Sequence, residues 1–438
     1  MNNLKLIFSF VIGVIFLSSC KSYFGDINTD PDNPTTVTPN VVLPQTELRL
    51  AYTLGGDVSR FTGINTQHVD GIGRQFAVIG KYGIQPTDID NLWSNIYSGV
   101  LMDNRQMITL SNDGGFNHYV GIGKAIEAYT LMLATDLWGD LPYSEAFQGV
   151  ELLQPKFDSQ EDIYRDVFTL IDEAKAALAK DDGGNPVSGD LIYGGDASKW
   201  LLFCNALEAR GKLHLATKNG DYAAALAAAN LALESSADDA LVHFGTASTE
   251  NSPWYQYIEQ RDDCEIGSFY KSLLTGLNDP RDAVYGVDHT VPGHPFFTPD
   301  QPVTLISATE MAFIKAECLM HTATPAEAYP FYIEGITLSF AEAGLSDQLA
   351  SYLGNATVNP AAPADLTMEQ IMTQKYIALY TQPEVFNDWR RTNIPALSPI
   401  VGDKVPTRLP YAQSEILSND NTPSPADVTI FSKVWWDQ

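Results

Sequence analysis

Residues 196–234, DASKWLLFCNALEARGKLHLATKNGDYAAALAAANLALE, spell two helices joined by a tight turn. Asp196 stands where a helix N-cap is expected, just before a series of apolar residues at helical spacing that begins at Trp200. Asn, Gly and Asp at residues 219–221 break that helix, because Gly and Asn favour helix ends, and an alanine-rich helix is predicted over residues 222–234. This stretch therefore predicts a helical hairpin.

Similar helical patterns occur along most of the chain. Further helices are predicted over residues 91–110 and 119–137 and in the segments that start at Ser159, Ser307, Thr324 and Thr367. Paired helices with alanine at packing positions and short Gly/Asp turns are typical of tetratricopeptide-type repeats, although the strict 34-residue signature is absent. The sequence predicts a mostly α-helical scaffold of such hairpins.

One long segment departs from this pattern. Residues 235–306 are crowded with proline and glycine and have no sustained period, so we expect an irregular excursion from the scaffold. Long loops inside compact proteins are usually functional. After residue 391 the chain is again rich in proline and is expected to be largely irregular.

The N-terminus predicts a lipoprotein. Residues 1–20 read MNNLKLIFSFVIGVIFLSSC, with one positive charge, an apolar run too short to span a bilayer, and small residues before Cys20. We expect residues 1–19 to be a signal peptide, residues 20–438 to form one domain, and Cys20 to carry the acyl chains. The alternative is an ordinary secretory peptide in which Cys20 is incidental.

Composition and motifs exclude several function classes. The 438 residues carry a formal net charge of −28 and no basic cluster, so nucleic acid is not expected as a partner. The nucleophile motif Gly-x-Ser-x-Gly and the zinc-binding motif His-Glu-x-x-His do not occur in the sequence. We therefore predict no catalysis, no cofactor and no metal site. His289 and His294 share one loop but are interpreted as coincidental, and Cys204 and Cys318 are interpreted as buried apolar residues.

Several strings, taken in order, resemble the SusD/RagB family of nutrient-binding outer-membrane lipoproteins of Bacteroidota. The matching strings are FGDIN at residues 24–28, ATDLWGDLPY at 134–143, DASKW at 196–200, EVFNDWRRTNIP at 384–395, RLPY at 408–411 and VWWD at 434–437. The resemblance implies four tetratricopeptide-like hairpins under a loop-rich face. It also implies a partner, a SusC-like TonB-dependent barrel that the lipoprotein covers as a hinged lid.

Three aromatic groups in irregular segments are candidate ligand contacts, because aromatic rings offer flat apolar faces to sugar rings. In order of preference they are Trp254, Tyr255 and Tyr257 with Asn251; Phe296 and Phe297; and Phe76 and Tyr82 with Arg74. For each group the competing interpretation is an aromatic residue that anchors its own loop. We expect Trp254→Ala to weaken ligand binding without lowering the melting temperature.

The remaining aromatic and basic residues are expected to be structural. The Trp389-Arg390-Arg391 string is interpreted as part of the core, Trp435 and Trp436 as a clamp at the chain end, and Trp93, Trp138 and Trp200 as core residues.

The predicted function is capture of an oligosaccharide at the cell surface and its delivery to the barrel, with the protein held by lipid in the outer membrane. A peptide ligand on the same scaffold is the first alternative. A structural or adhesive surface lipoprotein is the second.

Overall fold

The computed structural model of the protein describes residues 37–289, 291 and 293–438. The chain divides into two units, Met1–Thr38 and Pro39–Gln438, and the second unit contains the helices and strands named below. The predicted signal peptide and Cys20 lie outside the described residues.

Helices make up most of the described chain. The α-helices are α1 Pro39–Thr53, α2 Ser59–Asn65, α3 Phe76–Ile79, α4 Pro86–Ser94, α5 Met102–Gly114, α6 Asn117–Trp138, α7 Gln160–Leu178, α8 Ala197–Asn219, α9 Tyr222–Ala229, α10 Pro253–Gln260, α11 Ser268–Leu277, α12 Ala308–Thr322, α13 Pro325–Glu342, α14 Leu349–Tyr352, α15 Met368–Ala378, α16 Glu384–Thr392 and α17 Gln413–Ser418. Two π-helical segments, Leu54–Val58 and Asn95–Leu101, connect α1 to α2 and α4 to α5. The strands are β1 Val69–Gly71, β2 Ala240–Val242, β3 Cys264–Ile266 and β4 Val303–Ile306. Within the described part of the chain, each helix is too short or too polar to cross a bilayer.

Consecutive helices pack as pairs, which confirms the mostly α-helical fold. Helix α6 packs on α7, α8 on α9 and α12 on α13, and contacts of α7 with α8 and of α9 with α12 join the pairs. The predicted hairpin is present. Asp196 caps α8 by accepting hydrogen bonds from the backbone N–H groups of Ser198 and Lys199, and Gly220 turns the chain with a φ of 76°. Helix α9 ends at Ala229, earlier than predicted.

Side-chain caps set most other helix starts where the sequence places them. Ser159, Thr324 and Thr367 each accept a hydrogen bond from the backbone N–H three residues on. Ser307 also caps α12, but the side chain of Glu310 does not complete a capping box, because it pairs with Arg210 instead.

The excursion over residues 235–306 is more ordered than expected. Strand β2 pairs antiparallel with β4 and so joins the two ends of the excursion, while β3 pairs antiparallel with β1, which follows α2. Helices α10 and α11 lie between them. These elements are three to ten residues long, too short to produce a sustained period in the sequence.

The Trp389-Arg390-Arg391 string is structural, as predicted. The guanidinium of Arg391, fully shielded from solvent, pairs with Glu317 at 2.6 Å and with Asp388 at 2.6 Å. Arg390 donates to the backbone carbonyls of Asp136 and Thr407. Trp389 is buried in a small apolar cluster.

The tryptophans predicted as core residues are buried. Trp93, Trp138 and Trp200 expose at most 6% of their surface, and Cys204, Cys264 and Cys318 are buried free thiols. Of the two tryptophans predicted as a C-terminal clamp, Trp436 is buried and its indole N–H donates to Asp136 Oδ1 at 2.8 Å. Trp435 is only partly buried.

A buried charge network links four helices at the centre of the fold. Arg210 on α8 holds Glu310 on α12 with two hydrogen bonds of 2.6 and 2.8 Å, and it lies 3.5 Å from Glu384 on α16. His214, one turn after Arg210, contacts Glu384 at 2.7 Å and Asp136 of α6 at 3.3 Å. Burial alone would lower the pKa of His214, but the charges of Glu384 and Asp136 raise it to about 9.

This pKa predicts a loss of stability in alkaline solution. Because the folded-state pKa of His214 exceeds its unfolded value, its contribution to the free energy of unfolding is complete below about pH 6.5 and is lost as the pH rises through about 9. A shift of this size corresponds to about 3 kcal/mol. Urea unfolding of the wild type and of His214→Gln should therefore give stability curves that converge toward pH 9.

His243→Gln, at an exposed position, is the matched control and should parallel the wild type at every pH. NMR titration of the His214 imidazole provides a second measurement on the unmutated protein. An imidazole that loses its proton below pH 7 would contradict the assignment.

Candidate functional site

An aromatic cavity of about 310 Å³ lies where the excursion meets the helical scaffold. Its aromatic lining consists of Trp254, Tyr285, Phe296, Phe297 and Tyr380. The first π-helical segment, strands β2 and β4, the end of α13 and the chain between α15 and α16 also contribute to the wall. This volume falls at the lower end of the range for small-molecule pockets, about 300–1,000 Å³.

Trp254 is fixed in the wall by the start of α10. Ser252 caps that helix by accepting from the backbone N–H of Tyr255, and Pro253 occupies its first position. The Trp254 indole N–H donates to Ser59 Oγ at 2.9 Å, and the Ser59 hydroxyl donates to the Thr381 carbonyl at 2.6 Å. The ring therefore has one defined orientation, with 5% of its surface exposed.

The imidazole of His294 fixes the backbone of Phe296 and Phe297, the second predicted aromatic group. Nδ1 of His294 accepts the backbone N–H groups of both Phe296 and Phe297, each at 3.0 Å. The Phe297 ring centroid lies 5.0 Å from that of Trp254, and Phe296 packs edge-on against Tyr285 at 5.1 Å. Trp254 of the first predicted group and both phenylalanines of the second thus meet in one cavity.

Free polar groups stand among these rings. The side chains of Gln301, Thr304 and Gln382 line the cavity, are half-buried, and make no side-chain hydrogen bond within the described part of the chain. Amides and hydroxyls in this state can bond to ligand hydroxyls without first breaking a protein contact.

Two carboxyl groups give the cavity a negative side. Asp239 is half-buried and accepts the backbone N–H of Ala308 at 2.7 Å; Glu342 is accessible to solvent and accepts the hydroxyl of Thr309. Desolvation, reinforced by the charge of Glu342, raises the pKa of Asp239 to about 7.

The other members of the first predicted group do not line the cavity. Asn251 anchors its loop, with its side chain donating to the Gly245 carbonyl and its own carbonyl accepting from Tyr52. Tyr257 is buried behind Trp254, under the guanidinium of Arg60 at 4.3 Å. Tyr255 is half-buried.

The third predicted group lies apart from the cavity. Phe76 is buried and reaches it only indirectly, through Tyr257 at 5.6 Å. Tyr82 packs in the cluster with Trp389. Arg74, whose side chain is 59% exposed, pairs with Asp263 at 2.9 Å.

The loop histidines are both engaged with the protein. His289 contacts the Cys264 carbonyl at 3.2 Å and the Tyr380 hydroxyl at 3.3 Å, and burial lowers its pKa to about 4. Among the described residues, no three His, Cys, Asp or Glu side chains are grouped to hold a metal ion.

The sequence did not predict several residues of the cavity wall, one of them within the excursion and two after it. Tyr285, Tyr380 and Gln382 lie in segments with no distinctive motif, and only the tertiary fold brings them to the cavity that Trp254 lines. Pro383, directly before α16, is a local signal for this part of the wall, because a proline there indicates the start of a new helix next to Gln382.

Comparison with known proteins agrees with the geometry. A family model, SusD-like, described as starch-binding and associating with the outer membrane, matches residues 31–293 and 287–412. No functionally curated protein matches the chain.

Solved structures share the fold. A SusD/RagB family protein of Bacteroides thetaiotaomicron is 23% identical with a TM-score of 0.74, covering 92% of this chain and 99% of its own. A chitin-binding protein is 24% identical with a TM-score of 0.75, and a SusD-like protein of Bacteroidetes AC2a is 21% identical with a TM-score of 0.77. For both, the match covers 92% of this chain and 100% of theirs.

The burial of Trp254 revises one expectation from the sequence, that its removal leaves the melting temperature unchanged. Trp254→Ala removes a buried ring and its hydrogen bond, so it should lower the free energy of unfolding by about 3–5 kcal/mol. Tyr255→Ala, at the neighbouring half-buried position, should cost far less. Thermal unfolding of both variants tests this, and equal melting temperatures would refute the structural role of Trp254.

Proposed function

The chain belongs to the SusD-like family, and we propose that it captures a glycan at the cell surface and delivers it to a SusC-like TonB-dependent barrel. The family is described as starch-binding and as associating with the outer membrane. The identity of the ligand, the barrel partner and the lipid anchor are the parts that we add.

The aromatic cavity carries the proposal. A sugar ring has apolar C–H faces and a rim of hydroxyls. The cavity offers the partly buried ring of Phe296 and the edges of buried aromatic rings beside the unbonded side chains of Gln301, Thr304 and Gln382. Since Trp254 and Phe297 are fixed by packing and hydrogen bonds, little side-chain entropy is lost when a ligand enters. We propose binding without turnover, as for the family as a whole.

Removal of the free amides should weaken glycan binding and leave the fold intact. Each neutral hydrogen bond contributes about 0.5–1.5 kcal/mol, so Gln301→Ala with Gln382→Ala should raise the Kd for the bound oligosaccharide by roughly 10-fold. Isothermal calorimetry against maltohexaose, N-acetylglucosamine oligomers and a peptide panel would measure this.

The matched control is Gln260→Ala, an exposed glutamine at the end of α10 outside the cavity. Chromatography of the incubated oligosaccharides should recover them uncut. Binding of peptides alone would replace the glycan by the peptide ligand, and equal Kd values for wild type and double variant would remove the cavity as the binding site.

We propose that Cys20 holds the protein to the outer membrane. Residues 1–20 have the charge, apolar length and small residues of a lipoprotein signal, and acyl chains add about 0.8 kcal/mol per buried methylene. A tether at Cys20 would hold the protein at the membrane surface, where a barrel partner would lie.

Cys20→Ser should therefore release the protein from the membrane. Metabolic labelling with a radioactive fatty acid should mark the wild type and Ser22→Ala, the nearby control, but not Cys20→Ser. The wild type should also co-purify with a large TonB-dependent barrel. A labelled Cys20→Ser protein, or a wild type that fractionates without membrane, would argue for an ordinary secretory peptide.

A further inference from the structure

The aromatic cavity has charge of one sign only. Two of the described residues that line it are acidic, Asp239 and Glu342, and none is Lys, Arg or His. Asp239 stands directly before β2 and Glu342 at the end of α13, so they reach the same cavity from separate elements. Because both carboxyls line one cavity, the charge of Glu342 adds to the effect of desolvation in raising the pKa of Asp239.

Neighbouring groups do not neutralise this side of the cavity. Arg281 is the cation that acts on Glu342, but its guanidinium is fully buried and holds Asp279 through two hydrogen bonds, at 2.7 and 3.0 Å. Near Asp239 lie Asp238, Tyr193 and Lys199. The Lys199 ammonium donates to the Ala237 carbonyl at 2.6 Å and lies over the Tyr193 ring, and it does not form an ion pair with Asp239 within the described residues.

The two carboxyls also keep acceptor capacity for a ligand. Asp239 accepts the backbone N–H of Ala308 on Oδ1, and Glu342 accepts the hydroxyl of Thr309 on Oε1. Each carboxylate has a second oxygen and can accept further bonds. A charge-assisted hydrogen bond from an ammonium group is roughly twice as strong as a neutral one.

We propose that the aromatic cavity selects its sugar by charge, favouring a ring that carries a protonated amine and rejecting one that carries a carboxylate. This inference rests on the proposed glycan-binding function and narrows its substrate class to amino sugars. The sugar ring packs against Phe296 and the exposed edge of Trp254, and its ammonium group lies between Asp239 and Glu342. A carboxylate in that place meets two groups of its own sign with no cation to pair with.

Three tetrasaccharides of similar length test the proposal by calorimetry at about pH 7.5, above the pKa of Asp239, where this carboxyl is mostly ionised. They are tetramers of glucosamine, of N-acetylglucosamine and of galacturonic acid. The wild type should bind the glucosamine tetramer roughly 10-fold more tightly than the acetylated one. The galacturonic acid tetramer should not bind measurably.

The variant Asp239→Asn/Glu342→Gln should abolish this preference while it continues to bind the acetylated tetramer. Both substitutions keep the oxygen that accepts from Ala308 or Thr309, so the fold should persist, and thermal unfolding checks that it does. Glu342→Gln alone serves if the double variant is unstable. Glu334→Gln, an exposed glutamate on the same helix, removes one charge away from the cavity and should keep the preference.

The outcomes separate the two proposals. Equal affinity of the wild type for the glucosamine and acetylated tetramers, or a preference that survives in Asp239→Asn/Glu342→Gln, overturns the charge selection and leaves glycan binding intact. A preference lost equally in Glu334→Gln assigns the effect to the net charge of −28 and also overturns it. Tetralysine binding without any tetrasaccharide binding overturns both proposals.

Discussion

The contact of Arg210 with Glu310 and Glu384 is the constraint on which the cavity depends. The same guanidinium donates to the carbonyl of Leu305 in β4, so one buried side chain ties α8 to α12, to α16 and to a strand that forms part of the cavity wall. Loss of one partner of a buried ion pair typically costs about 3–5 kcal/mol, because the other charge is left unpaired. What such a network provides is a single arrangement of its helices rather than a large net stabilisation.

This arrangement explains how a helical scaffold builds a binding site from separate segments. Glu384 begins α16, and Gln382 and Pro383, which precede it, line the cavity. The pairing of β2 with β4 closes the excursion beside them and brings Asp239 and Thr304 to the same cavity. The charge network therefore positions the cavity wall indirectly, through the segment before α16 and through strand β4.

The sequence allowed the helices to be predicted because their signals are local. Caps such as Asp196 and Thr324 bond to backbone N–H groups within three residues. The turn at Gly220 needs a positive φ, which glycine adopts readily. The short strands could not be found in this way, since Val69 pairs with Ile266 from another part of the chain. Trp254, Phe296 and Phe297 could be identified in the same local way, because each belongs to a short aromatic group next to prolines. Tyr380 and Glu342 join them only through tertiary packing, which the sequence does not show.

The burial of Trp254 reconciles the two interpretations that the sequence left open for its aromatic residues. An indole that is hydrogen-bonded to Ser59 and packed on Phe297 anchors its loop, and the remaining exposed edge of the same ring forms part of the cavity wall. A wall that is already ordered gives shape but little discrimination, because aromatic faces accept most sugar rings. Discrimination must then come from the few polar groups that line the cavity, and among these the carboxyls of Asp239 and Glu342 are the ones that bring charge.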